Sequence, residues 1–333
     1  MKKALFVVSF FMLTASCVKD EYIDIGQESF LLSVVPSIGL YADTKAFGDE
    51  DNIGLYPIGI QVTNFAGTSL YNPGTKNITL SKSNIWELSI PVCLSFSKAK
   101  IYGYYPYSAI EHDFTGTGET AQRLLDIPVN RVMTEQIDYL YAAQDKNILP
   151  GGNDIDNKNP KVTLAMNHAL ARIAFVLYKD NYAGTGVLTQ IEIKDNTVPF
   201  NLKVNKTGTN DLRMQLSDGT ILHGEASAIL TISSVGSLIT ETNDPGTDAA
   251  ILKTKINGYA LVVPATFPDK TKLQFTFLID DKPYSVALRE AEVLSWIQGS
   301  QYIYIVKLSG TGITNVSVVV TDWTSGYGGE IIL

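Results

Sequence analysis

Residue types that commonly carry chemistry are few and scattered in this sequence. Its three histidines, His112, His168 and His223, have no cysteine or second histidine at the spacing of a metal site. No Gly-x-Ser-x-Gly elbow, P-loop or dinucleotide fingerprint is present. We therefore assign no catalytic, cofactor-binding or metal-binding residue, expect no cofactor, and predict that the protein is not an enzyme. His168, in the segment AMNHALAR, is predicted to be a hydrogen-bonded structural residue.

Cys17 is the residue whose surroundings predict a specific reaction. It follows an apolar run of about ten residues, which is too short to span a bilayer of about 30 Å but suits the core of an export signal. The segment Thr14-Ala15-Ser16-Cys17 resembles a bacterial lipobox. This resemblance implies that residues 1–16 are a lipoprotein signal peptide and that the Cys17 sulfur takes the lipid. The alternative is an ordinary signal peptide with an incidental cysteine.

The residues behind Cys17 predict where the protein is located. Val18-Lys19-Asp20-Glu21 resembles the surface-export signal of Bacteroidetes lipoproteins. Two or more acyl chains anchor a protein stably without a transmembrane helix. We therefore expect a surface-exposed lipoprotein of the outer membrane, with the lipid anchor as its contact to that membrane.

Charge and size restrict the remaining possibilities. The formal net charge is −8, and it becomes −10 once Lys2 and Lys3 are removed with the signal peptide. An acidic chain without a basic cluster argues against nucleic acid or anionic lipid as a partner. With 333 residues and 45% hydrophobic content, the chain is long enough for two hydrophobic cores.

Alternation of apolar and polar residues dominates the chain. In LQFTFLI, residues 273–279, one face is apolar and the other polar, as in a half-buried strand. Four more segments share this period: residues 200–204, 212–216, 302–306 and 316–320. Turn signals such as Asp218-Gly219 and Asp280-Asp281 separate the segments, and the best helix candidate is short, at 288–296. The pattern predicts an antiparallel all-β protein built as a pair of sandwiches.

A polar stretch rich in Asn, Asp, Gly and Pro interrupts the pattern at residues 145–161. Such composition is typical of a surface linker. We predict an N-terminal β-sandwich domain with its leading segment at 17–150, a linker at 151–160 and a C-terminal β-sandwich domain at 161–333.

Several segments, in order along the chain, resemble the fimbrillin-like (Mfa-like) proteins of Bacteroidetes, the subunits of type V pili. The segments are AKIYGYYPYS (99–108), IDYLYA (137–142), VTLAMNHALARIAFVLY (162–178), YALVVPATFPDKTKLQFTF (259–277), GSQYIYIVKL (299–308) and VVVTDW (318–323). The resemblance implies two transthyretin-like antiparallel β-sandwich domains. It also implies a pilin that is exported as a lipoprotein, trimmed near its N-terminus by a trypsin-like protease, and joined to other pilin subunits by strand exchange in a fimbrium.

Two segments match the parts that this assembly needs. FLLSVV, residues 30–35, is apolar enough to be the removable first strand, and its loss would leave an unpaired edge for a donated strand. Thr44-Lys45-Ala46 resembles the family's Thr-Arg-Ala cleavage region with Lys in place of Arg. We expect any cleavage to follow Lys45; the alternative is that Lys45 is a solvated loop residue.

The last residues bear on the position in a fibre. After Trp323 the sequence TSGYGGEIIL is rich in glycine, and only residues 330–333 could pair well as a donor strand. We therefore expect a tip, accessory or anchor subunit with a role in adhesion, whose further partner would be a host protein or a glycan.

The main rival hypothesis is a glycan-binding outer-membrane lipoprotein. Its candidate residues are Tyr102, Tyr104, Tyr105 and Tyr107, which could stack on sugars if they were exposed. Aromatic residues are also favoured in strands, so packing in a sheet is the preferred interpretation of this cluster. A glycosidase is a more distant third hypothesis. It would need two carboxylates at a defined separation, and that separation cannot be derived from a sequence.

Overall fold

A computed structural model describes residues 30–38, 57–143, 154–195, 197, 200–203, 211–222, 224–289, 292–310, 312–323 and 331–332. Within these ranges most residues in regular structure are in β-strands, and the predicted all-β class is confirmed. The best helix candidate, 288–296, has no helix among its described residues, because Leu294–Trp296 is a strand that pairs with Ala265–Phe267. Of the described residues, one short segment forms an α-helix, α1 (Ala249–Lys253), which Asp248 caps through its side chain.

The strands of the first half of the chain are β1 (Ser33–Ile38), β2 (Ile58–Asn64), β3 (Ile78–Lys82), β4 (Trp86–Leu88), β5 (Ala99–Tyr105), β6 (Phe114–Thr115), β7 (Gln122–Leu124), β8 (Asn130–Val132) and β9 (Leu140–Ala143). Single 3₁₀ turns lie between some of them, at Pro73–Thr75, Glu111–Asp113, Gly118–Thr120 and Met133–Glu135.

The strands of the second half are β10 (Lys161–His168), β11 (Ala171–Asp180), β12 (Val187–Asp195), β13 (Asn201–Lys203), β14 (Arg213–Gln215), β15 (Ile221–Leu222), β16 (Glu225–Ser227), β17 (Ile229–Ser233), β18 (Ser237–Leu238), β19 (Gly258–Val262), β20 (Ala265–Phe267), β21 (Leu273–Ile279), β22 (Lys282–Ala287), β23 (Leu294–Trp296), β24 (Ser300–Ser309), β25 (Gly312–Asp322) and β26 (Ile331–Ile332). A further 3₁₀ turn lies at Lys270–Lys272.

The first lobe is a seven-stranded sheet in the order β1-β10-β9-β5-β2-β3-β4. Its apolar side chains point to the inside of the curled sheet and form one core, to which β2 contributes Ile58, Ile60 and Val62. Because the sheet curls, its two edges, β1 and β4, approach each other and line one cavity. The lobe is therefore open between its first strand and its last.

The second lobe is a sandwich of two sheets. One has the order β19-β11-β24-β25-β26 and the other β22-β21-β12-β17-β8. LQFTFLI is strand β21, and its Leu273, Phe275, Phe277 and Ile279 are fully buried in the core between the sheets, as the alternation predicts. The β21–β22 turn places Asp280 and Asp281 at φ values of 48° and 62°, the left-handed conformation of a tight hairpin turn.

The two lobes are interleaved along the chain. Strand β10 follows the expected linker but pairs with β9 and β1 in the first sheet. Strand β8 precedes the linker but pairs in parallel with β17 of the second lobe. A separate four-stranded sheet, β15-β14-β7-β6, combines strands from both halves. The division into domains at 150 and 161 stays a prediction.

Candidate functional site

The leading strand ends the first sheet, and the residues just before it are also bonded to residues 92–94. Its start is fixed by Leu94 N, which donates to Phe30 O over 2.9 Å, and by Leu32 N, which donates to Val92 O over 2.9 Å. From Ser33 onward the strand pairs in parallel with β10, over six residue pairs from Ser33–Lys161 to Ile38–Met166. The opposite edge of β1 has no strand paired to it in the described structure.

Side chains of the leading segment alternate between core and solvent. Leu32 and Val34 are 6% and 1% exposed and belong to the core of the first lobe. Leu31 and Val35 are 42% and 48% exposed. The strand thus contributes two buried side chains to the core, while its other face is exposed.

A cavity of about 660 Å³ lies along the free edge of β1. One wall is the leading segment from Leu31 to Val34, and the opposite wall is formed by Ile85, Trp86 and Leu88 at strand β4. Most of the lining side chains are apolar, and Ile85 is 64% exposed. An edge strand beside an open apolar cavity is the arrangement that sheet proteins usually avoid, because it invites another strand to pair.

Strand β10 is the neighbour of β1 in the sheet, and β1 covers its edge. Its Leu164 and Met166 are each 1% exposed and belong to the same core as Leu32 and Val34. In register, Leu164 is beside Pro36 and Met166 is beside Ile38. Loss of β1 would therefore expose a row of backbone groups on β10 and a strip of apolar core next to it.

The end of β10 joins the two lobes. His168, the last residue of β10, is 1% exposed, and its Nδ1 is 2.7 Å from Asp138 Oδ2. Its ring stacks on Trp323 of the second lobe with ring centroids 3.8 Å apart. The prediction of a hydrogen-bonded structural histidine is confirmed.

Buried polar residues reinforce this junction. Gln136 Oε1 accepts from Leu261 N over 2.9 Å, and the guanidinium of Arg131 donates to Pro128 O over 2.8 Å and to Leu261 O. Loss of hydration lowers the pKa of Arg131 to about 9, so the group remains charged at neutral pH. Side chains of the first half are therefore fixed to strand β19 of the second lobe by hydrogen bonds.

The tyrosine cluster is packed inside the protein. Tyr102 and Tyr104 have no exposed surface, Tyr105 is 1% exposed and Tyr107 is half-buried. The preferred interpretation, packing in a sheet, is confirmed for Tyr102, Tyr104 and Tyr105, which have no exposed ring for a sugar to stack on. Burial raises the pKa of Tyr104 to about 12, since the phenolate would lose its hydration. A glycan site would need other residues.

Two predicted sites, Cys17 and Lys45, lie outside the described residues, and so does the signal peptide at 1–16. Among the residues that the structure does describe, no group of three or more His, Cys, Asp or Glu side chains is arranged to hold a metal ion. Helices with the length and apolar character to cross a membrane are absent from this same part of the chain.

Parallel pairing between β1 and β10 was not predicted from the sequence. The apolar character of FLLSVV identifies a strand, but its partner begins at Lys161, far along the chain. Strand β10 buries alternate residues only in its second half, at Leu164, Met166 and His168, and this identifies it as a strand with one face in a core. Such a pattern does not show which strand lies next to it.

The fold and this edge define a double-lobed β-sandwich protein whose first sheet ends on a short leading strand. The family model described as fimbrillin-like matches residues 42–323 of the chain. The chain therefore belongs to the fimbrillin-like family. This membership supports a structural role as a pilus or adhesion protein at the cell surface. Among curated protein sequences, none matches the chain.

Solved structures from Bacteroides share the fold. A fimbrial protein from Bacteroides vulgatus has a TM-score of 0.58 at 12% identity, covering 88% of this chain and 99% of its own. A candidate cell adhesion protein from Bacteroides uniformis has a TM-score of 0.55 at 16% identity, covering 88% and 98%. A second candidate adhesion protein, from Bacteroides ovatus, has a TM-score of 0.54 at 13% identity, covering 88% and 96%.

Proposed function

We propose that this chain is a pilus subunit that reaches the cell surface as an outer-membrane lipoprotein acylated at Cys17. It occupies a tip, accessory or anchor position and contributes to cell adhesion. It joins other subunits when its leading strand is removed by proteolysis and a strand from a neighbour takes the vacated place. Membership of the fimbrillin-like family supports the pilus role.

The observation that carries this proposal is the position of β1. The strand is an edge of its sheet, and the ladder to β10 is the one ladder that the described structure gives it. The leading segment buries Leu32 and Val34, and two further backbone bonds join its start to residues 92–94. An edge strand can leave without breaking a ladder on its second side, whereas a central strand such as β5 would break two. Removal of β1 therefore costs less than removal of its neighbour β10 or of another central strand of this sheet.

Cleavage after Lys45 would separate β1 from the rest of the chain, because residue 45 lies between β1 and β2. The released strand leaves unpaired N–H and C=O groups on β10 and an open strip beside Leu164 and Met166. A donated strand satisfies these groups and covers the apolar strip, which is β-strand complementation. The same physical requirement that holds β1 in place therefore drives assembly.

The test is limited digestion of the full mature chain with a lysine-specific protease, followed by light scattering and electron microscopy. We expect cleavage after Lys45 and, once a pilin subunit that carries a full donor strand is added, entry of the cleaved chain into polymer. The variant Lys45→Ala should remain monomeric under the same digestion, while other exposed lysines are still cut. Polymer formation by undigested chain, or an intact N-terminus in assembled fibres, would contradict the proposal.

A second variant separates cleavage from strand release. Ser33 and Lys161 are both exposed and are register partners across β1 and β10, so Ser33→Cys with Lys161→Cys places two thiols on adjacent strands. After oxidation we expect the digested protein to stay monomeric, and after reduction to polymerise. Polymerisation of the oxidised, digested protein would show that β1 does not have to leave.

The anchor is tested separately by metabolic labelling with palmitate. We expect label in the parent chain and none in Cys17→Ser, with the parent in the membrane fraction and the variant released. Equal labelling of both chains would assign the lipid to another residue.

A further inference from the structure

We infer that one end of the first lobe is a membrane-contact surface that holds the tethered subunit upright on the lipid bilayer before processing. The surface consists of Phe30, Phe65, Phe96 and Lys98, and we call it the aromatic pole. Its partner is the lipid surface itself. This inference rests on the proposed acylation of Cys17.

Sheet topology defines the pole. Strand β1 is parallel to β10, and β9, β5 and β2 follow with alternating direction. The starts of β1, β10 and β5 therefore lie at the same end of the lobe as the ends of β9 and β2. The pairing of Asn64 with Ala99 and the 2.8 Å bond from Ala99 N to Ile155 O lie at this end. His168 and the second lobe lie at the opposite end.

Exposed aromatic residues are concentrated at the pole. Phe96 is 81% exposed, Phe65 is 55% exposed and Phe30 is 46% exposed, and these are the exposed phenylalanines of the described residues. Phe30 and Phe96 are linked through Leu94, whose N–H donates to Phe30 O. Single exposed apolar residues are ordinary on a protein surface, but three phenylalanines on adjoining segments indicate a contact surface.

Charge at the pole suits a lipid surface. The protein is acidic overall, with a net charge of −8, yet Lys98 forms an ion pair with Asp154 at this end and its Nζ lies 5.4 Å from the centroid of the Phe65 ring. The neighbouring loop is bonded to this end through Asn157 N and Ser95 O, and in it the Asp156 carboxylate accepts from Lys158 N over 2.8 Å. Aromatic rings with a lysine beside them occupy the interface between lipid headgroups and acyl chains in many membrane-bound proteins.

The tether joins the described chain at the same pole. The described chain begins at Phe30, which is at the pole, and twelve residues separate it from Cys17. An extended chain of that length reaches about 45 Å at most, so acyl chains on Cys17 keep the pole near the bilayer. Of the described surfaces, the aromatic pole is therefore the one that the tether brings to the lipid first.

Upright docking places the end of β1 and the start of β2, between which Lys45 lies in the chain, away from the membrane. Strand β1 has six residues and rises about 3.3 Å per residue, so the chain that contains Lys45 starts about 20 Å from the pole. The second lobe extends beyond it. A protease in solution would then reach Lys45 while the subunit is still attached.

The test places a tryptophan at the pole. Phe96→Trp in the acylated mature chain is bound to phosphatidylcholine vesicles that contain brominated lipid, and its fluorescence is compared with that of the parent chain. We expect quenching of the added tryptophan. The matched control, Ile297→Trp, is at a 58% exposed position of the second lobe and should not be quenched. An unquenched residue 96 in vesicle-bound protein would overturn the inference.

A second measurement does not depend on acylation. The Cys17→Ser chain should partition weakly onto phosphatidylcholine vesicles, and Phe65→Ser with Phe96→Ser should reduce the partition coefficient about tenfold. The control pair Val293→Ser and Ile297→Ser should change it by less than about twofold. If the pole variants instead shorten fibres and leave vesicle partition unchanged, the pole is a contact between subunits and the inference is wrong. Failure of acylation would show as missing label on Cys17, a separate outcome.

Discussion

The imidazole ring of His168 lies flat against the indole of Trp323, with centroids 3.8 Å apart and an angle of 7° between the rings. His168 ends β10 of the first sheet, and Trp323 directly follows β25 of the second lobe. Backbone bonds support the contact: Gly299 N donates to Leu170 O over 2.9 Å, and Trp323 N donates to Gly299 O over 2.8 Å. The two lobes are thus joined where strands from each of them end.

Replacing Trp323 should therefore weaken the whole protein. Trp323 is 3% exposed, so Trp323→Leu removes a stacked ring and leaves a cavity beside His168, which we expect to lower the free energy of unfolding by about 2–4 kcal/mol. Trp86→Leu is the control, because Trp86 is half-buried on edge strand β4 and should cost less. Urea unfolding measures both. Equal losses would contradict the proposed role of the stacked pair.

Adjacent valines in the leading strand allow a sharp comparison. Val34 is 1% exposed and Val35 is 48% exposed. Val34→Ala should loosen β1, since it removes buried methyl groups, and raise amide hydrogen exchange in β1 and β10 about tenfold or more, which corresponds to about 1.4 kcal/mol. Val35→Ala should leave exchange nearly unchanged. Similar exchange in both variants would mean that the core does not hold the strand.

Gly59 is predicted to tolerate no side chain. A Cβ atom there would overlap the ring of Tyr104, which is fully buried and donates to Asn77 Oδ1 over 2.7 Å. We expect Gly59→Ala to cost about 2–3 kcal/mol by overpacking. Gly74→Ala is the control, since nothing lies within 4 Å of its added Cβ, and should change stability by about 0.5 kcal/mol or less. Thermal unfolding that shows equal shifts would contradict this packing.

Buried tyrosines predict loss of stability in alkali. Burial raises the pKa of Tyr104 and of Tyr139 to about 12 in the folded protein, from an ordinary value of 10. Between these values the unfolded chain loses the phenolic proton while the folded chain keeps it. The stability is complete below pH 10 and is lost as the pH rises towards 12, by about 1.4 kcal/mol per pH unit for each such tyrosine.

Urea unfolding between pH 8 and pH 11.5, followed by tyrosinate absorbance, measures this effect. Tyr104→Phe should show a shallower decline than the parent chain, because one of the ionising groups is gone. A stability that is flat above pH 10 would contradict the prediction.

The sequence predicts the interiors of strands better than it predicts which strands pair with each other. LQFTFLI alternates in the structure as its residues predict, since side chains on opposite faces of a strand meet different surroundings. The Asp280-Asp281 turn is likewise local, because two adjacent residues adopt the left-handed conformation. These features depend on neighbours in the chain, which a sequence displays directly.

Pairing between distant strands could not be predicted in the same way. The pairing of β1 with β10 buries Leu32 and Val34 in the core of the first lobe. The residues near either segment do not indicate this pairing, because it depends on the packing of the whole lobe. The best helix candidate, 288–296, contains a strand for a related reason. Leu294 and Trp296 point into the second core from a two-stranded ribbon, and this tertiary packing outweighs the local spacing.

The short link between β10 and β11 has a mechanical consequence. Strand β10 runs beside the leading edge, and after Ala169 and Leu170 the chain continues as β11, which pairs with β24 over nine residues in parallel. Tension applied along β10 would load that ladder in shear, where all nine pairs resist together. A pull on the end of β25 would first load the contact between Trp323, which follows β25, and His168. The molecule is therefore suited to carry force along its length without opening strand by strand.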